Sequence, residues 1–180
     1  MTIYHFPAEA GIALAGGLPT PQGIAKELDR LGLPHASVRI ACDGEAATLE
    51  GTVPDREVRE QLVVAVGNLR GIGAVDDQLT VQYRSGLLDT LGSFANLPAG
   101  SANTQAAEAA VHHADPEIGE AYGPGGSLLH IVRPSETLQS IAQRHYGDPH
   151  EARRILEANA HVLGDTGGLQ PGLVLRVPPR

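Results

Sequence analysis

The sequence predicts an α+β fold in two small modules, an N-terminal αββαβ unit and a C-terminal βααβ unit. Two observations carry this expectation. Stretches with an apolar residue at every third or fourth position alternate with shorter ones in which every second residue is apolar, the periods of helix and strand. Between the two sets, residues 83–127 lose both periods and run to Ala, Gly, Ser, Asn and Pro, and residues 85–127 hold five acidic residues and no Lys or Arg. So long a stretch without a pattern is unusual inside one compact domain and marks a boundary. The expected division is an N-terminal segment at 1–18 packing on a first module at 19–82, a linker at 83–127 and a second module at 128–179.

Residues 1–18 are ambiguous. Phe6, Ile12 and Leu14 can pack, and Ala8-Glu9-Ala10 can open a helical turn after Pro7, but Gly16-Gly17, Pro19 and Pro21 end it. Over 21–33, Ile24, Leu28 and Leu31 share one helical face, and Gly32 is the stop. Val38, Ile40 and Cys42, then Ala47, Leu49 and Gly51, alternate as two strands around an Asp43-Gly44 hairpin turn. Cys42 is thereby expected to face the core as a small hydrophobe.

The module turns on residues 55–81, DREVREQLVVAVGNLRGIGAVDDQLTV. Val58, Leu62, Val66 and Leu69 make a helical stripe, Gly67 and Arg70-Gly71-Ile72-Gly73 break it, and Val75, Leu79 and Val81 form a third strand on which Asp76-Asp77 read as a solvated pair. A helix broken there leaves its last carbonyls without intrahelical donors. Either a glycine-capped turn satisfies them, or they turn inward around a cation drawn to the negative end of the helix dipole. The pattern alone leaves both open.

In the linker, 87–91 and 106–111 read as weakly helical. Order resumes with a strand through Leu129 and Ile131. Pro134-Ser135-Glu136-Thr137 then caps a helix carrying Leu138, Ile141 and Ala142, which stops at His145-Tyr146-Gly147. A second helix carries Ala152, Ile155 and Leu156 to Asn159, and after Pro171-Gly172 a last strand carries Leu173, Leu175 and Val177. His145, His150 and His161 read as surface residues.

Composition excludes several classes of function. With 13 basic against 21 acidic residues the net charge is −8, which argues against nucleic acid or an anionic membrane as the partner. Two Phe and no Trp leave little to stack bases on. A single cysteine forbids an internal disulfide. The start, MTIYHFPAEAGIALAGG, lacks the basic region of a secretory signal, and no stretch approaches a membrane span, so a cytoplasmic protein is expected. His112, His113, Asp115 and Glu117 have the chemistry of metal ligands but sit in the linker, where no scaffold fixes their geometry. No Ser/His/Asp order or paired-acid setting stands out. Gly71, Gly73, Gly123, Gly125 and Gly126 lack the strand-then-helix context of a phosphate loop. No enzyme is expected.

HIVRPSETLQSIAQRHYG at 130–147, RRILEANAHV at 153–162 and LQPGLVLRVP at 169–178 together resemble a LysM domain, most strongly at Asn159 and Pro171-Gly172. GTV at 51–53 and GIGAVDDQLTV at 71–81 look like a BON domain. With FPAEAG at 6–11 and LVVAVGNLRGIGAVDDQLTV at 62–81, the chain resembles bacterial cytoplasmic potassium-binding proteins of the BON–LysM type. That resemblance implies K⁺ as the bound species, held by backbone carbonyls, and a sensor that changes conformation or compactness on binding and acts on a protein partner. The chemistry is consistent. A ring of neutral carbonyls replaces the hydration shell of a large monovalent ion, whereas a carboxylate cage suits Ca²⁺. Joined to the carbonyl argument, the resemblance points to the main-chain oxygens of Pro7, Ala10, Gly67, Leu69 and Ile72 as the ligands. It also implies an alternative, a stress or cell-envelope adaptor that binds the N-acetylglucosamine chains of peptidoglycan through LysM and a membrane or protein through BON. The Gly-Asp-Thr usual in the sugar-binding turn stands here as Ser135-Glu136-Thr137.

Overall fold

The computed structural model of the protein describes residues 2–14, 17–82, 121–164 and 168–180. In the first module, α1 (Pro21–Arg30) starts where the Thr20 hydroxyl accepts the Gly23 N–H at 3.1 Å, with proline at its first position. β2 (Val38–Asp43) and β3 (Ala46–Val53) make the expected hairpin, Asp43 opposite Ala46. α2 (Arg56–Gly67), capped by the Asp55 carboxylate on the Val58 N–H, crosses back so that β4 (Ala74–Val81) lies parallel to β3 from Ala74 opposite Ala46 to Val81 opposite Val53.

The ambiguous start of the chain is a strand. β1 (Thr2–His5) pairs antiparallel with β4 and closes the sheet in the order β1-β4-β3-β2. Only Tyr4 of its four residues is buried, too short an alternation to declare itself.

The second module holds β5 (Ala121–Tyr122), β6 (Leu128–Ile131), α3 (Leu138–Tyr146), α4 (Ala152–Ala158), α5 (Ala160–Leu163) and β7 (Val174–Val177), with sheet order β5-β6-β7. It differs from expectation in two places. β5 is an added two-residue strand. The second helix ends where expected, at Ala158 before Asn159, but a 3₁₀ turn over Pro149–Glu151 precedes it and a further short helix, Ala160–Leu163, follows Asn159, whose side chain donates to the Arg176 carbonyl of β7. The weakly helical segments at 87–91 and 106–111, and the cluster from His112 to Glu117, lie outside the described residues.

Three readings of polar residues need correction. Asp77 is fully buried, paired with Arg59 Nε at 2.9 Å and accepting the Leu79 N–H at 3.0 Å, and half-buried Asp76 has an Oδ1 with no partner among the described residues. The two side chains leave opposite faces of the sheet, and α2 covers the face of Asp77 through Arg59. His145 is half-buried against His130, and His161 is half-buried with its Nε2 enclosed. His150 is exposed, as read. Cys42 is half-buried against the core, and burial raises its thiol pKa.

The main consequence for function lies in α2. Every residue from Leu62 to Gly67 is buried, not one stripe, because the sheet covers one side of the helix and β7 of the second module meets another. The two modules are thus packed on a shared helix. Among the described residues no helix is long and apolar enough to cross a membrane.

Candidate cation site at the helix break

α2 ends at Gly67, and the Asn68 N–H closes the last turn on the Val64 carbonyl at 3.0 Å. Gly67 is demanded by packing: the Phe6 ring lies so close that a β-carbon here would sit 2.3 Å from it. The chain before α1 then runs along the broken end. Phe6 N–H donates to the Gly73 carbonyl at 3.0 Å, Gly71 N–H to Ala8 at 2.8 Å, Ile12 N–H to Asn68 at 2.8 Å and Arg70 N–H to Ile12 at 2.9 Å. Gly11, at φ +96°, permits this approach, since a β-carbon on it would lie 2.1 Å from the Asn68 oxygen.

The structure therefore brings the 7–10 and 67–72 segments together. Their carbonyls fall in two groups. That of Pro7 accepts the Ala10 N–H and that of Leu69 the Ile72 N–H, each at 3.0 Å. Those of Ala10, Gly67 and Ile72 accept no hydrogen bond among the described residues. The case of Gly67 has a clear cause. The Gly71 N–H, which a continuing helix would aim at it, is diverted to Ala8. On a third side the Pro171-Gly172 turn meets the segment: a β-carbon on Gly172 would sit 2.4 Å from the Ala10 β-carbon and 4.0 Å from that of Pro7.

Side chains offer no competing metal centre, since no group of three His, Cys, Asp or Glu able to hold an ion exists among the described residues. What the arrangement presents is main-chain oxygen at the negative end of a buried helix, the chemistry of a hard monovalent cation.

Sequence reasoning missed the side chains that seat the second module here. Asn68 is buried, and its amide donates to the Val174 carbonyl and accepts the Val174 N–H, both at 2.8 Å. Glu60, fully buried, accepts from Arg176 Nε at 2.7 Å. The signal was available only as a polar residue inside the apolar run VVAVGNL, which marks a paired group without saying with what. Near Arg176, burial first and the guanidinium charge second push the His161 pKa down to about 4. Tyr4, beside Asp77 and Arg59, is pushed up to about 12, chiefly by burial, and stays protonated. In the turn before α3, burial raises the Glu136 carboxyl, but the Arg133 N–H, His130 and Arg144 outweigh it and hold the pKa below the ordinary value.

Residues 22–83 match the BON domain family and residues 130–178 the LysM domain family. The chain joins a BON domain to a LysM domain. It is also similar to the potassium binding protein Kbp of Escherichia coli O6:H1, at 28% identity over 158 residues, 86% of this chain and 78% of that one. The helix break lies inside the BON match, Gly172 lies inside the LysM match, and the segment over the break precedes both.

Proposed function

We propose that this BON–LysM protein is a cytoplasmic potassium-binding protein in which the carbonyls of Pro7, Ala10, Gly67, Leu69 and Ile72 hold K⁺, and that binding tightens the molecule so that it acts as an ion sensor toward a protein partner in a stress response. It is a binding protein and not an enzyme. One observation carries the reading: the N-terminal segment is laced to the end of α2 by main-chain hydrogen bonds that leave the Ala10, Gly67 and Ile72 carbonyls without amide donors. The likeness to a protein named for potassium binding supports it. Because the ligands are main chain, their side chains matter only through the backbone path they allow.

The test is thermal melting in KCl against NaCl at equal ionic strength. Mass action gives about 2.7 kcal/mol of stabilisation at a hundredfold excess of ligand over Kd. G11A, which forces the segment away from Asn68, is expected to remove the difference between the two salts. Equal melting of the unaltered protein in both salts would sink the reading.

The LysM match also supports a glycan-binding reading. Against it stands Glu136, whose carboxylate is already taken by the Arg133 N–H, His130 Nε2 and Arg144. Retention on peptidoglycan is the measurement that favours this second reading.

A further inference from the structure

Arg176 pairs across the modules with two carboxylates of α2, exposed Glu57 through Nη2 at 3.8 Å and buried Glu60 through Nε at 2.7 Å, and the buried pair has a one-sided construction. Glu60 of the BON helix supplies both acceptor oxygens, and every donor comes from the other module. Oε1 accepts from Arg176 Nε at 2.7 Å, and Oε2 accepts the Gly125 N–H at 2.7 Å and the Ser127 N–H at 3.2 Å. Both charged side chains are buried, Glu60 at 0% and Arg176 at 5% exposure. The β5–β6 turn closes tightly on the carboxylate, since β-carbons on Gly123 or Gly125 would stand 2.6 and 2.7 Å from Oε2.

The donors are positioned without help from Glu60. Gly123 N–H to Ser127 O at 2.8 Å and Gly126 N–H to Gly123 O at 3.0 Å fix the turn. Arg176 is held at both ends: its N–H and C=O by the Asn159 side chain, and its Nη1 by the Ala158 carbonyl at 3.2 Å. A guanidinium flanked by two convergent main-chain N–H groups is a carboxylate receptor, and buried donors left empty carry a large desolvation cost.

We propose that the LysM module carries a carboxylate-binding site built from Arg176, Gly125 and Ser127, that Glu60 is its internal ligand, and that a small organic carboxylate can take the place of Glu60. Packing between the modules is then a competition for this site. The inference is independent of the cation reading, because none of these groups belongs to the helix break.

E60A in the full chain removes the CH₂–COO⁻ group, whose shape acetate reproduces. The experiment compares melting of E60A and the unaltered protein in sodium acetate, sodium phosphate and sodium chloride at equal ionic strength, with E60A/R176M as the control. Acetate at tenfold excess over its Kd is expected to raise the E60A melting temperature by about 3–5 °C beyond its effect on the unaltered protein, and to leave the double variant unmoved. Acetate should also shift the Gly125 and Ser127 amide resonances of E60A. An E60A chain that unfolds in chloride and regains a cooperative melt in acetate supports the site equally. An acetate response no larger than that of the unaltered protein, persistence of the response in E60A/R176M, or failure of acetate to restore an unfolded E60A overturns it. A phosphate response larger than the acetate one overturns the carboxylate assignment.

Discussion

Two asparagines do the same chemical job on the same strand and belong to different modules. β7 is an edge strand, and the residues that turn their N–H and C=O away from β6 are Val174 and Arg176. The Asn159 amide satisfies both groups of Arg176, at 2.8 and 2.7 Å, from inside the LysM module. The Asn68 amide satisfies both groups of Val174, each at 2.8 Å, from the BON helix. The edge that one module leaves half-covered is completed by the other, so the interface is built like the interior of a fold. Asn68 is also chain neighbour to Gly67 and Leu69, so the same residue touches the second module with its side chain and the helix break with its carbonyl.

The largest expected way to break this comparison is N159A. It orphans the N–H and C=O of Arg176 and the Ile155 carbonyl, all buried, and should cost about 4 kcal/mol in denaturant unfolding. The second is acid. His161 stands next to α4 and feels Arg176, and its folded pKa of about 4 lies below the ordinary value of 6.5. A depressed histidine contributes stability that is fully present above the unfolded value and is lost as pH falls from there toward the folded one. Unfolding followed between pH 6.5 and 4 should therefore show a loss of about 3 kcal/mol that H161F does not show. The smallest effect is that of N68A, about 2 kcal/mol, because the interface can open and give Val174 to water. Hydrogen exchange sharpens the contrast: N68A should expose the Val174 amide while that of Arg176 stays protected.

The difference between the two asparagines also explains what the sequence made legible. Asn159 stands in a recognisable local pattern, and the helices, the hairpin and the order of the elements followed from periods of two and three to four. Gly67, Gly71 and Gly73 announced the helix break, whereas the 7–10 segment was set against it only through the resemblance at FPAEAG, since nothing local links positions some sixty residues apart. Asn68, Glu60 and Arg176 were opaque for the opposite reason. Their partners lie more than a hundred positions away for Asn68 with Val174 and for Glu60 with Arg176, and no local pattern encodes such a pairing. β1 and β5 were missed because four and two residues are too few to show an alternation. Asp77 was misread because its partner, Arg59 on α2, lies 18 positions earlier and no local pattern encodes that pairing.

The central claim, that main-chain oxygens at the broken end of α2 hold K⁺, is tested most directly by a potassium titration that follows the carbonyl carbon resonances at constant ionic strength. The account predicts saturable shifts, with one common dissociation constant, at Ala10, Gly67 and Ile72 and at Pro7 and Leu69, with sodium far weaker. Shifts confined to exposed carboxylates, with these five carbonyls unmoved at saturating potassium, would contradict it.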